Sequence, residues 1–156
     1  MATEGILDEA RRDALAERLF EATLGALEMF SVHIGWRLGL YAELADWGPA
    51  TAAELARRAE IDERYAREWL GQQAVAGLLE VDDAGLPADR RTYRLSPEHA
   101  DVLADPDSLA YLAPFGALLA GIGGALPEVV AAYRTGEGVS FAHYGPDLRD
   151  GQGEIN

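Results

Sequence analysis

Apolar residues recur at helical spacing in the first part of the chain. The stripe formed by Leu15, Leu19, Phe20, Leu24 and Leu27 is wider than one neighbouring element would cover. The pattern predicts two helices, roughly 8–29 and 32–44, separated by a break that nearby glycines mark. Since a small domain cannot bury a helix that is apolar on two sides, we expect a partner subunit; packing on later helices of the same chain is the alternative.

Residues 48–77 have the capping pattern of a helix-turn-helix. Gly48-Pro49 ends the preceding helix, and Thr51 with Glu54 forms a capping box that starts the next. After a turn at 60–62, Asp62 can cap a second helix that extends to about residue 76. Gly77 suits the left-handed position that ends it. The side of this helix predicted to be buried carries Ala66, Trp69, Leu70 and Val75.

A short β-hairpin follows the two helices. The segments 78–81 and 92–95 have the composition of strands, and the turn-forming residues 82–85 follow the first of them. Ser96 and Pro97 then have the types favoured at the cap and first position of a helix. The order of helix, turn, helix and hairpin predicts a winged helix.

The segment 105–134 is predicted to form further helices. Asp105-Pro106 can open one helix, and Leu109–Leu126 contains no charged residue. The glycines in this run and its acidic flanks argue against a membrane span and favour a buried pair of helices with a glycine joint. Pro127 is then expected to begin a final helix, and the glycine-rich residues after 135 are expected to form a loop.

Charge distinguishes between the uses of a winged helix. The chain has 13 Lys and Arg against 27 Asp and Glu, a net charge of −14. In residues 62–77, the predicted recognition helix, two arginines stand against three acidic residues, which gives 2 − 3 = −1. Because DNA binding needs a basic face, the sequence argues against nucleic acid as the partner.

Composition excludes several kinds of chemistry. The chain has no cysteine, so it has no disulfide, thiolate nucleophile or cysteine zinc site. Its three histidines, His33, His99 and His143, lack the spacing of metal ligands, and no metal site is predicted. The acidic N-terminus does not have the order of a signal peptide, and we expect a cytoplasmic protein.

No complete active site can be assembled from these residues, and no catalytic residue is assigned. Candidate substrate contacts come from composition alone, because apolar and aromatic walls suit a flat organic molecule. They are His33, Trp36, Phe141, His143 and Tyr144. For His33, a place in the core or in an interface is the alternative.

Several motifs together resemble the N-terminal domain of two-domain S-adenosylmethionine-dependent methyltransferases, the bacterial small-molecule O-methyltransferases in particular. They lie between about residue 25 and the end of the chain. The matching segments are Leu38-Gly39-Leu40-Tyr41, Thr51-Ala-Ala-Glu54-Leu55-Ala56, Tyr65-x-x-Glu68-Trp69-Leu70, Gly77-Leu78, Tyr93-x-Leu95-Ser96-Pro97-Glu98, and the connector-like Thr135–Gly145.

The resemblance implies a mainly α fold. Residues 1–105 would form dimerisation helices and a winged helix-turn-helix with a small hairpin, and residues 106–156 the connector to a catalytic domain. In the family this module dimerises and forms a wall of the substrate pocket, while S-adenosylmethionine binds a Rossmann-like domain with a Gly-x-Gly-x-Gly turn.

The chain stops before any such motif, so it is either a fragment or a shortened relative. We expect a homodimer that alone neither methylates nor binds the methyl donor appreciably. A free-standing winged-helix regulator or small-ligand sensor is the alternative.

Overall fold

The winged-helix order predicted from the sequence is the order of elements in the structure. We describe a computed structural model, which covers residues 7–155. The elements are α1 (Glu9–Arg37), α2 (Leu40–Trp47), α3 (Ala52–Arg58), α4 (Glu63–Val75), β1 (Glu80–Val81), β2 (Tyr93–Arg94), α5 (Pro97–Leu103), α6 (Phe115–Thr135) and α7 (Gly145–Ile155), with short 3₁₀ helices at Ala88–Arg90 and Phe141–Tyr144. The fold is mainly helical, as predicted.

The caps form as the sequence predicts. The Thr51 hydroxyl accepts from the Glu54 amide, and the Glu54 carboxylate accepts from the Thr51 amide at 2.8 Å. The amide and the hydroxyl of Thr51 both donate to the Glu54 carboxylate, and these two bonds lower the pKa of Glu54. Asp62 caps α4 by accepting from the amides of Arg64 and Tyr65. Gly77, with φ of +76°, follows the end of α4 in the left-handed conformation.

The wing is a two-stranded antiparallel ribbon. Glu80 pairs with Arg94 and Val81 with Tyr93, so the paired strands are shorter than the predicted segments. Ala50 forms a bridge to Tyr93 and ties the ribbon to the start of α3. Because Tyr93 is buried, this bridge fixes the wing against the helices.

The first helix does not break where the sequence predicted. The predicted helices 8–29 and 32–44 are wrong in their boundary, since α1 continues without interruption to Arg37. The chain turns at Leu38 and Gly39, and Gly39 has φ of +67°. The residues around position 30 include neither glycine nor proline, so nothing in the backbone stops the helix there.

The core of the winged helix is formed by α1 to α4 and the hairpin. Its most enclosed side chains include Leu40, Tyr41, Leu55 and Leu70. Ala66, Trp69 and Leu70 are buried as predicted. Val75 is a correction, because its side chain is 92% exposed: the last turn of α4 borders an open groove and not the core.

A buried polar network joins α1, α2 and α4. Tyr41 donates to the side-chain carbonyl of Gln73, and the Gln73 amide donates to Ser31 and Gln72. Gln73 is fully buried, so these bonds satisfy groups that water does not reach. Burial, with a smaller contribution from the charge of Glu28, raises the pKa of Tyr41 and keeps the hydroxyl protonated as a donor.

Residues 105–135 differ from the prediction in three ways. No helix opens at Asp105-Pro106; turns lead instead to α6 at Phe115. The predicted glycine joint is absent from this segment, since α6 continues through Gly121, Gly123 and Gly124. Pro127 lies inside α6 and does not begin a new helix. Contacts with α1, α7 and the 3₁₀ helix at 141–144 hold α6, and tertiary packing of this kind overrides local helix-breaking signals.

Residues 145–155 also differ from the predicted loop, because they form α7. Glycine permits its close approach to α6: a Cβ at Gly121 would lie 2.7 Å from the Leu148 backbone, and one at Gly151 would lie 2.8 Å from the Pro114 carbonyl. Among the described residues, only α6 is long and apolar enough to cross a membrane, judged by length and composition alone. It packs against α1 and α7. The division of the chain at residue 105 stays a prediction.

Substitution of Gly35 by alanine tests the contact that joins α1 to α4. The new Cβ would lie 2.4 Å from the Trp69 ring and 2.8 Å from the Tyr41 ring. Overpacking of this kind should lower the free energy of unfolding by about 1–3 kcal/mol. Chemical denaturation followed by circular dichroism measures the change.

Gly25→Ala is the matched control for that substitution. Gly25 lies in the same helix, but a Cβ at this position would meet no neighbouring atom within 4 Å. Alanine should therefore stabilise α1 by roughly 0.5–1 kcal/mol through helix propensity. Equal effects of the two substitutions would show that the close approach at Gly35 does not contribute.

Candidate functional site

The predicted substrate contacts form two groups, one on α1 and one on the segment before α7. His33 and Trp36 lie one helical turn apart on α1, with ring centroids 6.1 Å apart. Phe141, His143 and Tyr144 belong to the 3₁₀ helix at 141–144, and the Phe141 and Tyr144 rings are 6.3 Å apart. The structure therefore brings the members of each group together, and α7 connects the groups.

His33 lies where α1, α6 and α7 meet. Its Nδ1 is buried without a hydrogen-bond partner among the described residues, and its Nε2 is 3.9 Å from an Asp147 carboxylate oxygen. α6 approaches so closely here that a Cβ at Gly116 would lie 2.7 Å from the Met29 carbonyl. An orphaned buried nitrogen costs free energy unless another group binds it, which makes His33 a candidate ligand contact.

Trp36 is held by Tyr111 from the loop between α5 and α6. The indole Nε1 donates to the Tyr111 hydroxyl at 3.0 Å. Burial raises the pKa of Tyr111, the hydrogen bond from Trp36 opposes that shift, and the hydroxyl stays neutral. The cavity beside Trp36 and Tyr111 measures only about 130 Å³. Ligand pockets usually span about 300–1,000 Å³, so this cavity alone does not hold a drug-sized molecule.

Arg37 connects α1 to α7 through two carboxylates. Its guanidinium is 2.8 Å from Asp150 and 3.5 Å from Asp147. The same guanidinium stacks over the Trp36 ring, 5.8 Å from its centroid. Each ion pair is about half exposed and contributes little alone, but the pairs orient the first turns of α7 relative to His33 and Trp36.

His143 is fixed to α6 and does not point freely into a pocket. Its Nδ1 forms a hydrogen bond with the carboxylate of Glu128, and both side chains are about half exposed. Tyr144 lines an open depression of about 480 Å³ together with Tyr133 and residues 136–139. This depression is the part of the second group that could contact a planar molecule.

Four residues of the site were missed by sequence reasoning: Arg37, Tyr111, Asp147 and Asp150. One signal was present, since Asp147 and Asp150 are three residues apart and would share a face if the tail were a helix. The glycine content of the tail instead predicts a loop, in which this spacing has no meaning. Tyr111 had no local signal, because its role depends on a contact 75 residues away in sequence.

The described residues lack the strand and turn of the S-adenosylmethionine site that the resemblance implies. Such a site, in the form that the resemblance implies, needs a parallel strand that ends in a glycine-rich turn at a helix N-terminus. The sheet in residues 7–155 has two antiparallel strands of two residues each. No step of catalysis is therefore assigned to these residues. Within the same range, no group of acidic residues and histidines is placed to hold a metal.

Comparison with a family of known domains identifies the winged helix. Residues 10–105 match the Rv2258c-like winged HTH domain. The chain belongs to this family. No curated protein matches the chain. The match extends from the start of α1 to the end of α5, which is the part of the fold that the caps and the hairpin define.

Solved structures extend the likeness to almost the whole chain. The mitomycin 7-O-methyltransferase MmcR is 26% identical, with a TM-score of 0.63 over 94% of this chain and 44% of that one. PigF with SAH is 21% identical, with a TM-score of 0.61 over 89% of this chain and 43% of that one. Human N-acetylserotonin methyltransferase in complex with SAM is 18% identical, with a TM-score of 0.61 over 98% and 44%. The chain spans less than half the length of these proteins, and below 25% identity the likeness shows the fold alone.

Substitution of Arg37 by methionine tests whether the ion pairs hold α7. The change removes both carboxylate partners but keeps an apolar side chain beside Trp36. Backbone amides of 145–155 should exchange hydrogen about three- to fivefold faster, because partly exposed pairs contribute up to about 1 kcal/mol. Hydrogen exchange with mass spectrometry measures this.

Arg12→Met provides the control, since Arg12 pairs with the adjacent Asp13 within α1. Exchange in α7 should be unchanged in this variant. If Arg37→Met also leaves exchange unchanged, the contacts at Gly121 and Gly151 alone hold α7.

Proposed function

We propose that this chain is the dimerisation and substrate-enclosing module of an S-adenosylmethionine-dependent methyltransferase that acts on a small organic molecule. The observation that carries the proposal is the shared fold with MmcR over 94% of this chain, which includes α6 and α7 as well as the family domain. Three structures named above are described as methyltransferases or as bound to SAH or SAM. The activity of the whole protein would require a further domain that binds the methyl donor.

The surface of α1 supports dimerisation. The N-terminal half of α1 contacts no other described element closely enough to bury its side chains, and residues 9–25 are all exposed. Leu19, Phe20, Leu24 and Leu27 are each more than half exposed. An apolar stripe of this size on a helix of 29 residues is typical of a surface that another protein covers. A second copy of the chain is the simplest partner, since most soluble oligomers are homo-oligomers.

The substrate-enclosing role is argued from the aromatic residues around α7. Trp36 and His33 lie on one side of this helix and Tyr144 precedes it, so a molecule held by the next domain could meet these rings. The assignment of Phe141, His143 and Tyr144 to a substrate wall stays a proposal, as does a cytoplasmic location.

Loss of dimerisation on changing Leu24 to aspartate would test the proposal. Leu24 is half exposed and lies in the middle of the α1 stripe, so a charge there should raise the dimer dissociation constant at least tenfold without unfolding the monomer. Sedimentation equilibrium gives the constant, and circular dichroism checks the fold. Leu109→Asp is the matched control, because Leu109 is fully exposed in a turn outside α1.

Two further measurements distinguish the proposal from a regulator. Calorimetric titration of the chain with S-adenosylmethionine should show no appreciable binding, and a gel shift with duplex DNA should show none at physiological salt. A monomer that binds DNA in a salt-dependent manner would contradict the proposal and favour a winged-helix regulator.

A further inference from the structure

A cavity of about 370 Å³ lies where the end of α1, the start of α2 and the start of α4 meet. Its aliphatic walls are Ile34 and Leu38 at the end of α1, Leu40 of α2 and Ile61 of the turn before α4. Ligand pockets usually span about 300–1,000 Å³, so this cavity can hold a small organic molecule. None of the five candidate substrate contacts lines it, so it is separate from the proposed substrate wall.

The floor of this cavity is part of the folded core, and its mouth is open. Leu40 is fully buried and Trp69 is 6% exposed, so packing of the winged helix fixes their positions. Ile34 and Leu38 are about half exposed, and Tyr65 is 70% exposed. A floor that is already formed lowers the conformational entropy that a ligand must overcome on binding.

The turn between α3 and α4 places Ile61 and Asp62 in the wall. Glu60 has φ of +55°, the left-handed conformation in which glycine is usual after a helix. The Ile61 amide donates to the Ala56 carbonyl at 3.0 Å, the hydrogen bond that closes such a helix end. The turn is therefore fixed by the backbone, and it holds an apolar and an acidic side chain at adjacent positions of one cavity.

Asp62 is the charged group of this cavity. One of its carboxylate oxygens caps α4 by accepting from the amides of Arg64 and Tyr65. Within residues 7–155 its other oxygen accepts no hydrogen bond, and the carboxylate forms no ion pair. This oxygen is left to accept from a cationic donor, and such charge-assisted hydrogen bonds are about twice as strong as neutral ones.

The charges around the turn favour a cation over an anion. Residues 60–64 carry Glu60, Asp62 and Glu63 against Arg64, which gives 1 − 3 = −2. The N-terminus of α4 contributes the equivalent of roughly +0.5 charge, which does not cancel this excess. The mouth of the cavity therefore attracts positive charge and repels a carboxylate or a phosphate.

Two aromatic rings complete the wall. Tyr65 and Trp69 are four residues apart on α4, so they lie on the same side of the helix. The indole Nε1 of Trp69 already donates to the Ser31 carbonyl, which leaves its carbon atoms and π system to a ligand. Aromatic rings attract cations electrostatically, and quaternary ammonium ions are recognised in this way.

We infer that this cavity binds a small organic cation, an ammonium group attached to an apolar body. The charge lies beside Asp62 and Tyr65, and the apolar body lies against Leu40 and Trp69. This binding site goes beyond the proposed function and depends neither on dimerisation nor on methyl transfer. All its residues belong to the winged-helix domain, so the chain alone should bind the ligand.

Titration with benzyltrimethylammonium tests the inference. At about 0.15 M salt, where weak attraction to the acidic surface is screened, the dissociation constant should be below about 1 mM. N,N-dimethylbenzamide, a neutral molecule of similar size, and the anion phenylacetate should each bind at least about tenfold more weakly. Heteronuclear NMR measures the constants and locates the site, with shifts expected for the Ile61 methyl groups and the Trp69 indole N–H.

Substitution of Asp62 by asparagine removes the charge and keeps the cap, since asparagine caps helices as well as aspartate does. The dissociation constant for benzyltrimethylammonium should rise about tenfold, because a charge-assisted contact is lost, and that for N,N-dimethylbenzamide should stay the same. Glu63→Gln is the matched control: it makes the same change of charge at the next position, which does not line the cavity. Its affinity should stay within about twofold of the parent value.

Tyr65→Leu tests the aromatic part of the wall. Because Tyr65 is largely exposed, leucine should leave the fold intact, keep an apolar side chain at the mouth and weaken cation binding about threefold. Tyr133→Leu is its control, since Tyr133 is 89% exposed on α6 and does not line the cavity.

Each other outcome overturns the inference. If the NMR signals of Ile61 and Trp69 do not shift with up to about 10 mM cation, the cavity is not a site for it. If the neutral molecule binds as tightly as the cation, or if Asp62→Asn and Glu63→Gln have equal effects, the carboxylate does not select the ligand. If the cation binds only the monomer, a second copy covers the cavity and is its occupant. These results leave the methyltransferase proposal untouched, and failure of that proposal leaves the binding site untouched.

Discussion

The structure depends on the close approach of α1 to α4 at one glycine. Gly35 lets the Trp69 ring lie against the α1 backbone, where a side chain would collide with it. The indole Nε1 of Trp69 donates to the Ser31 carbonyl at 3.0 Å. Gln73, which is buried and also lies on α4, donates from its side-chain amide to the Ser31 hydroxyl. Packing and hydrogen bonding thus fix α4 to the C-terminal half of α1 over about one helical turn, and the rest of α1 extends past the winged helix.

The same part of α1 also holds the C-terminal elements on another side. Gly116 places α6 against the backbone of Met29 and His33, and Arg37 reaches the carboxylates of α7. One helix therefore connects the winged helix to α6 and α7. A change in the position of α1 would move the walls around His33 and Trp36, which couples the proposed dimer surface to the candidate substrate wall through a single rigid element.

Local chemistry was enough to predict the winged helix. Thr51, Asp62 and Ser96 cap the helices as their sequence positions indicated, because capping depends only on residues two or three positions away. The break in α1 was misplaced, since the apolar residues around position 30 belong to contacts with α4 and α6 that the sequence does not show. The glycines of α6 were misread for the same reason: Gly121 permits contact with Leu148 of α7 and does not break the helix.

The candidate site was predicted less well than the fold because each of its contacts joins distant parts of the chain. His33 and Trp36 were selected for their residue types, and their partners Asp147 and Tyr111 lie 114 and 75 positions further along. The assignment of a substrate wall still depends on composition together with this placement. The glycine-rich residues after 135 were predicted to form a loop, but residues 145–155 form α7. Contacts with α6 and Arg37 hold this helix in place, and the local sequence does not show them.

Three arginines of the winged helix form contacts within the chain. Arg94 pairs with Glu80 across the hairpin, Arg91 binds the Leu86 carbonyl, and Arg58 donates to the Gly48 carbonyl. Each of these contacts uses N–H groups that a DNA-binding protein would direct toward phosphates. Together with Glu28 and Glu68 beside α4, they reduce the positive charge that this part of the winged helix presents. The groove between α1, α4 and the wing accordingly has apolar walls, with two arginines and two glutamates at its edges.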